Sequence, residues 1–138
     1  MRFEIGFFGH ESVRALHERT IEVTRGGDLT PAGDCVIGVG ASCACAGLPE
    51  ALKARLRDAG AAVAVEITVG GMSFGLRGRG DPALALSDAR DIVLRRSAYA
   101  CPRTLAVECD AASDSVPREM VRALREPGAR ARLSIEVS

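Results

Sequence analysis

Two runs of alternating side chains meet at a pair of glycines near the middle of the chain. Every second residue of 61–69 from Val63 onward is valine or isoleucine, and in residues 72–79 apolar side chains alternate with polar or small ones. Period two is typical of a strand with one face on the core. Gly70 and Gly71 join the runs, and tight primed turns need the positive φ that glycine readily adopts. The sequence therefore predicts a β-hairpin here.

Similar short runs recur along the chain and predict further strands. They are Arg2–Phe8, Ser12–Thr24, 34–40, 83–86, 91–97, 103–109 and Arg130–Val137. Two short helices are also predicted, because Pro49 and Ser115 begin helical segments that end at Gly60 and Gly128.

The stretch Leu29–Val39 predicts the strand around which the rest packs. It opens as a turn at Pro31 and Gly33 and continues as a run that is apolar on both faces. Such a run is typical of a strand covered above and below, so we expect a central position. Asp34 then stands at the entrance of this strand.

The strands do not alternate with helices, which argues against a doubly wound parallel sheet. We therefore predict a mainly β fold: an antiparallel β-sandwich or barrel, jelly-roll-like, of about nine strands with two short peripheral helices. A length of 138 residues fits a single domain, 1–138. We detect no internal repeat in the sequence.

Charge and hydropathy limit the partners. Eighteen basic residues balance eighteen acidic ones, so no overall field attracts nucleic acid or acidic lipid. No segment resembles a signal peptide or a membrane span, and we expect a cytoplasmic protein without a membrane partner. Five cysteines in a reducing compartment suggest mostly free thiols, although a hyperthermophile would allow an internal disulfide.

Several polar residues stand at strand ends or on otherwise apolar faces. They are His10, His17, Asp34, Arg95, Arg96, Arg103 and Asp110. Buried polar groups need partners, so such residues either satisfy one another or face a ligand. As the candidate ligand-binding set we take His10, His17, Asp34, Arg96, Arg103 and Asp110.

Metal binding is the weaker interpretation of these residues. His10, His17 and Asp34 are ligand types of a facial metal site, but their spacing has no helical register. The simpler interpretation makes His17 a core histidine bonded to a neighbour and His10 a turn residue. Cys43 and Cys45 lack a second zinc knuckle. We predict no metal and leave the cofactor open.

Arginines at strand ends leave two interpretations open. Arg77, Arg79, Arg95, Arg96 and Arg103 would suit a groove for phosphate or carboxylate, because guanidinium forks match both. The simpler interpretation is a solvated strand edge, where charge discourages pairing between sheets. For Arg96 and Arg103, which lie near apolar residues, the two interpretations are evenly matched.

Blocks of the sequence resemble an archaeal family, domain-of-unknown-function family 371. They are Gly9-His-Glu, Ala15-Leu-His17, Leu29–Val39, Ile92–Ser97, Arg103–Ala106 and Asp110-Ala-Ala112. The resemblance implies a mainly β, jelly-roll-like fold and an archaeal cytoplasmic source, and it implies no activity. Ala111 stands where the family pattern leads us to expect lysine, which weakens any role for a basic group there.

Three functions stay open. The first is a module that binds a small anion or nucleotide-like ligand, with nucleic acid disfavoured. The second is a hydrolase-like enzyme that uses His10, His17 and Asp34, with or without a metal. The third is a structural or protein-interaction module, which would show a contiguous exposed apolar patch. A binding site requires the polar strand ends to meet in one cleft.

Overall fold

The computed structural model describes residues 1–30 and 32–138. In this part of the chain, eight strands and two helices follow one another in this order: β1 (Arg2–Phe8), β2 (Thr20–Thr24), β3 (Val36–Gly38), α1 (Glu50–Leu56), β4 (Ala62–Val69), β5 (Met72–Arg79), β6 (Asp91–Arg95), β7 (Thr104–Ala106), α2 (Arg118–Leu124) and β8 (Arg130–Val137). A single 3-10 turn precedes each helix, at Cys45–Gly47 and Ser113–Ser115.

The strands form two four-stranded sheets. The first has the order β1-β8-β4-β5 and is antiparallel throughout. The second has the order β3-β2-β6-β7, with an antiparallel centre and a parallel pair at each side. Single antiparallel bridges, Phe8–Val39 and Arg79–Val107, link the outer strands of the two sheets.

The predicted hairpin is confirmed. Val69 of β4 faces Met72 of β5, and the two glycines between them have φ values of 57° and 78°. Residues other than glycine rarely adopt this backbone conformation. Gly70 and Gly71 therefore fix the turn and thereby the register of the two strands.

The two halves of the chain repeat one structure: three strands, a 3-10 turn, a helix and a strand. The halves meet about a pseudo-twofold axis in both sheets. In β2–β6, Glu22 faces Val93 at the centre, and in β4–β8, Glu66 faces Ser134. The prediction of no internal repeat is therefore wrong. The repeat lies in the backbone, and many side chains at matching positions differ between the halves.

A backbone amide of each half caps the C-terminal end of the helix in the other half. The Leu124 carbonyl at the end of α2 accepts a 2.9 Å bond from the His10 amide, and the Leu56 carbonyl at the end of α1 accepts one of 2.9 Å from the Asp81 amide. The preceding residues, Gly9 and Gly80, lie against these helix ends. The hydrophobic core accordingly combines side chains from both halves.

One predicted strand is too long and another does not form. Only Thr20–Thr24 of the run from Ser12 is a strand, because Ala15 has a φ of 51° and interrupts the extended backbone. Residues 83–86 form no strand, since Leu86 has a φ of 50° at the corresponding place in the second half. Buried side chains alternate in both loops, which imitates strand periodicity. The described residues therefore hold eight strands instead of about nine.

The strand predicted at the centre of the sheet is an outer one. β3 pairs in parallel with β2 alone, so its central position and an antiparallel arrangement throughout are both wrong. Its burial is confirmed, because Ile37 lies in the core and Val39 bridges to Phe8. The turn expected at Pro31 lies outside the described residues. A jelly roll is antiparallel, so the parallel pairs do not confirm that finer prediction.

The mainly β class and the two helices are confirmed. Within residues 1–30 and 32–138, neither helix has the length and apolar character needed to cross a membrane.

Candidate functional site

The outer face of β2 is polar and nevertheless buried. Ile21 and Val23 point into the core, whereas Thr20, Glu22 and Thr24 alternate with them and face the other side. Glu22 is 9% exposed. A buried carboxylate is costly unless it is paired, so the partners of Glu22 show where polar chemistry gathers.

Arg103 is the cationic partner of Glu22. Its Nη1 donates to Glu22 Oε1 at 2.9 Å and lies 3.4 Å from Asp91 Oδ2. Burial raises the pKa of Glu22 above its usual 4.5, and the charge of Asp91 raises it further, while Arg103 and Arg95 act in the opposite direction. Glu22 sits on the pseudo-twofold axis, so the site lies where the two halves meet.

Beside this ion pair, Arg95 approaches the thiol of Cys101. Arg95 Nη2 is 3.3 Å from Cys101 Sγ, and its Nε donates to Thr104 Oγ1 at 2.8 Å. The amide of Cys101 donates to the same hydroxyl oxygen at 3.1 Å. The Thr104 oxygen thus accepts two bonds, which leaves its proton for Cys101 Sγ at 3.4 Å. We call Arg95, Cys101, Arg103 and Thr104 the arginine–cysteine cluster.

The cluster favours the thiolate form of Cys101. Burial alone would raise the pKa of this thiol. Hydrogen bonds from the Thr104 hydroxyl, the Arg103 backbone N–H and the Arg95 guanidinium outweigh burial and lower the pKa of Cys101 from 9.0 to about 7. Donors directed at sulfur and a nearby positive charge are the usual causes of such a shift.

Arg95 keeps part of its donor set uncommitted. Its guanidinium lies 5.0 Å from the centroid of the Tyr99 ring, a cation–π distance. Across residues 1–30 and 32–138, no carboxylate forms an ion pair with Arg95. The side chain is half-buried, so its remaining N–H groups are available to an anion that approaches from solvent.

The first half lacks this cluster at the matching positions. Val36 corresponds to Thr104. The first pairs with Glu22 of β2, and the second pairs with Val93 at the equivalent place in β6. Cys35 corresponds to Arg103. The backbone carbonyl of each accepts a hydrogen bond from a side chain of the other half, Ser113 Oγ for Cys35 and Cys45 Sγ for Arg103. The backbone of the first half therefore forms without arginine and threonine at these places.

A family model described as a domain of unknown function, DUF371, matches residues 5–138. The chain belongs to this family. The uncharacterized protein MJ0206 of Methanocaldococcus jannaschii is 38% identical to it over 126 residues, which are 91% of this chain and 93% of that protein. The resemblance noted from the sequence is confirmed, including an archaeal relative. Neither description names an activity.

Of the predicted site residues, only Arg103 belongs to the cluster. His17 Nδ1 accepts the amides of Arg19 and Thr20, both at 3.1 Å, and so ends a turn. In the second half Asp88 does the same for two amides. His10 Nδ1 accepts the Ser12 amide at 3.0 Å. Both imidazoles therefore organise turns. The simpler interpretation expected this of His10, whereas it placed His17 in the core, and His17 is only half-buried.

The remaining predicted residues lie along loops. Exposed Arg96 donates to the carbonyls of Glu18 and Asp110 at 3.4 and 3.3 Å. Asp110 Oδ1 accepts the Arg77 amide at 2.8 Å, and the Asp34 carbonyl accepts an amide from the loop before β2. Among the residues that the structure describes, no group of three histidines, cysteines or carboxylates could hold a metal.

Two hollows of about 420 and 510 Å³ lie elsewhere, on the outer face of the first sheet. Arg77, Glu66 and Asp110 line the first, and Arg132, which pairs with Glu4, helps to line the second. Both are open strand surfaces where charged side chains face solvent, so we place the candidate site at the cluster.

Sequence reasoning missed Glu22, Asp91, Cys101 and Thr104, and it left Arg95 out of the final set. One signal was available in the sequence. Glu22 stands in the middle of a strand whose other residues are all β-branched. A carboxylate in such a strand becomes a candidate for a buried ion pair once both faces of the strand are known to be buried.

Proposed function

We propose that this protein binds a small anionic ligand at the arginine–cysteine cluster. The observation that supports it best is the state of Arg95, which is positioned by Thr104 and Tyr99 and has no carboxylate partner among the described residues. A guanidinium fork held in one orientation matches the geometry of phosphate or carboxylate. Binding then costs little side-chain entropy.

Three other arginines, Arg57, Arg79 and Arg118, donate to groups of the protein itself. Arg79 pairs with Asp81 at 3.0 Å and Glu108 at 2.8 Å. Arg57 donates to two backbone carbonyls between β5 and β6, and Arg118 donates to carbonyls near α2. Arg95 differs because its partners are a hydroxyl, a thiol and an aromatic ring. An external anion would supply the charge that the protein itself does not provide.

The proposal favours a binding module over the hydrolase alternative, since His10 and His17 already use Nδ1 to accept backbone amides. We further propose that residues 1–138 form one sandwich-like cytoplasmic domain. Core side chains from both halves support the single-domain part.

Thermal unfolding with added anions tests the proposal. A ligand that binds the folded state raises the midpoint by mass action, so saturating inorganic phosphate or succinate should raise it by about 4 °C or more at matched ionic strength. Arg95→Gln should abolish the rise. Arg130→Gln, an exposed arginine on the first sheet, is the matched control and should keep it. Equal rises in wild type and Arg95→Gln, or no rise in wild type, would contradict the proposal.

A further inference from the structure

We propose that Cys101 is a nucleophilic thiol that exchanges with small anionic disulfides. The anionic class of substrate rests on the function proposed above, whereas the nucleophilic role of Cys101 rests on the geometry around its sulfur.

Two side chains converge on the Cys101 sulfur. Arg95 Nη2 approaches it at 3.3 Å and Thr104 Oγ1 at 3.4 Å. Each contact favours the thiolate, which is the attacking form of a thiol. Cys101 is also partly exposed, so a small molecule can reach the sulfur.

The other four cysteines lack this environment. Burial raises the pKa of Cys45 to about 12 and of Cys109 to about 11, and both side chains are inaccessible. Cys35 and Cys43 are partly exposed, but burial raises the pKa of each. Negative charge from Glu22 adds to the effect at Cys35. Cys101 is therefore distinguished by its neighbours and not by exposure alone.

The exchange step needs no further reactant. The Cys101 thiolate attacks one sulfur of the disulfide RS–SR and forms a new S–S bond to it. The original S–S bond breaks, and the second RS group leaves as a thiolate that takes a proton from water. Cys101 is oxidised to a mixed disulfide, and the departing half is reduced.

Charge near the sulfur selects the substrate. A carboxylate or phosphate on RS can meet the uncommitted N–H groups of Arg95 while its sulfur faces Cys101. Arg103 adds positive charge, but its Nη1 is already held by Glu22 and Asp91. Arg95 is therefore the residue on which the preference for anionic disulfides depends.

Mass mapping of the intact chain tests the nucleophile without any substitution. The protein is treated at pH 7 with 3,3′-dithiodipropionate, which is dianionic, or with neutral bis(2-hydroxyethyl) disulfide. A thiol of pKa about 7 should react about fivefold faster than an ordinary thiol, after its lower intrinsic nucleophilicity is included. We expect the mixed disulfide at Cys101 first. Faster modification of Cys35 or Cys43 by both reagents would overturn the inference.

The ratio of the two rates tests the anionic class separately. Dithiodipropionate should modify Cys101 about tenfold faster than the neutral disulfide, and Arg95→Gln should remove most of this preference. Arg130→Gln should retain it. Equal rates at Cys101 would overturn the anion proposal and uphold the nucleophile. Anion binding without reaction at Cys101 would overturn the nucleophile alone.

Discussion

Arg95 Nη2 lies 3.3 Å from Cys101 Sγ, and the hydroxyl of Thr104 touches both residues. The three side chains come from β6, β7 and the loop between them. Because β2 pairs with β6 across the pseudo-twofold axis, the same arrangement lies beside the buried Glu22. Positive charge, a polarised thiol and a desolvated carboxylate thus occupy one side of a single sheet.

The free energy of unfolding should depend on pH through Cys101. Its pKa in the folded protein is about 7, below the usual 9.0, so the unfolded chain binds more protons between these values. The stabilisation from Cys101 is therefore present above pH 9 and lost as the pH falls through 7. Urea unfolding of wild type and Cys101→Ser should show a difference in stability that grows from pH 7 to pH 9. A difference that stays constant over this range would contradict the account.

Glu22 should produce the opposite dependence. Burial raises its pKa above 4.5, so its protonated form favours the fold and this stabilisation is lost as the pH rises through the folded pKa. Wild type should therefore lose stability relative to Glu22→Gln as the pH rises above 4.5. Glu66→Gln, at the exposed centre of β4–β8, is the matched loss of a strand carboxylate. The account fails if Glu22→Gln and wild type keep the same separation at every pH.

Gly9 and Gly80 pack against the helix ends so closely that a side chain does not fit. A Cβ on Gly9 would lie 2.5 Å from the Leu124 carbonyl oxygen, and one on Gly80 would collide with the Leu56 carbonyl. Backbone atoms cannot move aside cheaply, so Gly9→Ala and Gly80→Ala should each lower the free energy of unfolding by about 1–3 kcal/mol. Gly6→Ala is the control, because nothing lies within 4 Å of its added Cβ. Chemical unfolding that finds all three variants alike would contradict the predicted contacts.

Period-two patterns predicted β1, the β4–β5 hairpin and β8 correctly, because these strands have one core face and one solvent face. The same reasoning failed before β2, where Ala15 has a positive φ and its loop still buries alternate residues. A positive φ at alanine or leucine cannot be recognised from the sequence, because these residues are common in regular strands and helices.

The candidate site was mostly beyond reach for a different reason. Glu22 and Arg103 are 81 positions apart, and the pairing of β2 with β6 and of β6 with β7 brings them together. His10 and His17 resemble site residues in the sequence because turns also use polar side chains to bind backbone amides. Arg103 was identified because it begins an apolar run, which is where a charged residue needs a partner.

The pH dependence of alkylation at Cys101 tests the central claim, that Arg95 stabilises negative charge on this sulfur. Iodoacetamide is neutral, so its rate follows the thiolate fraction, and peptide mapping assigns the modified residue. The account predicts a midpoint of about 7 in wild type and Arg130→Gln and a higher midpoint in Arg95→Gln. A wild-type midpoint near 9.0, or one that Arg95→Gln leaves unchanged, would contradict it.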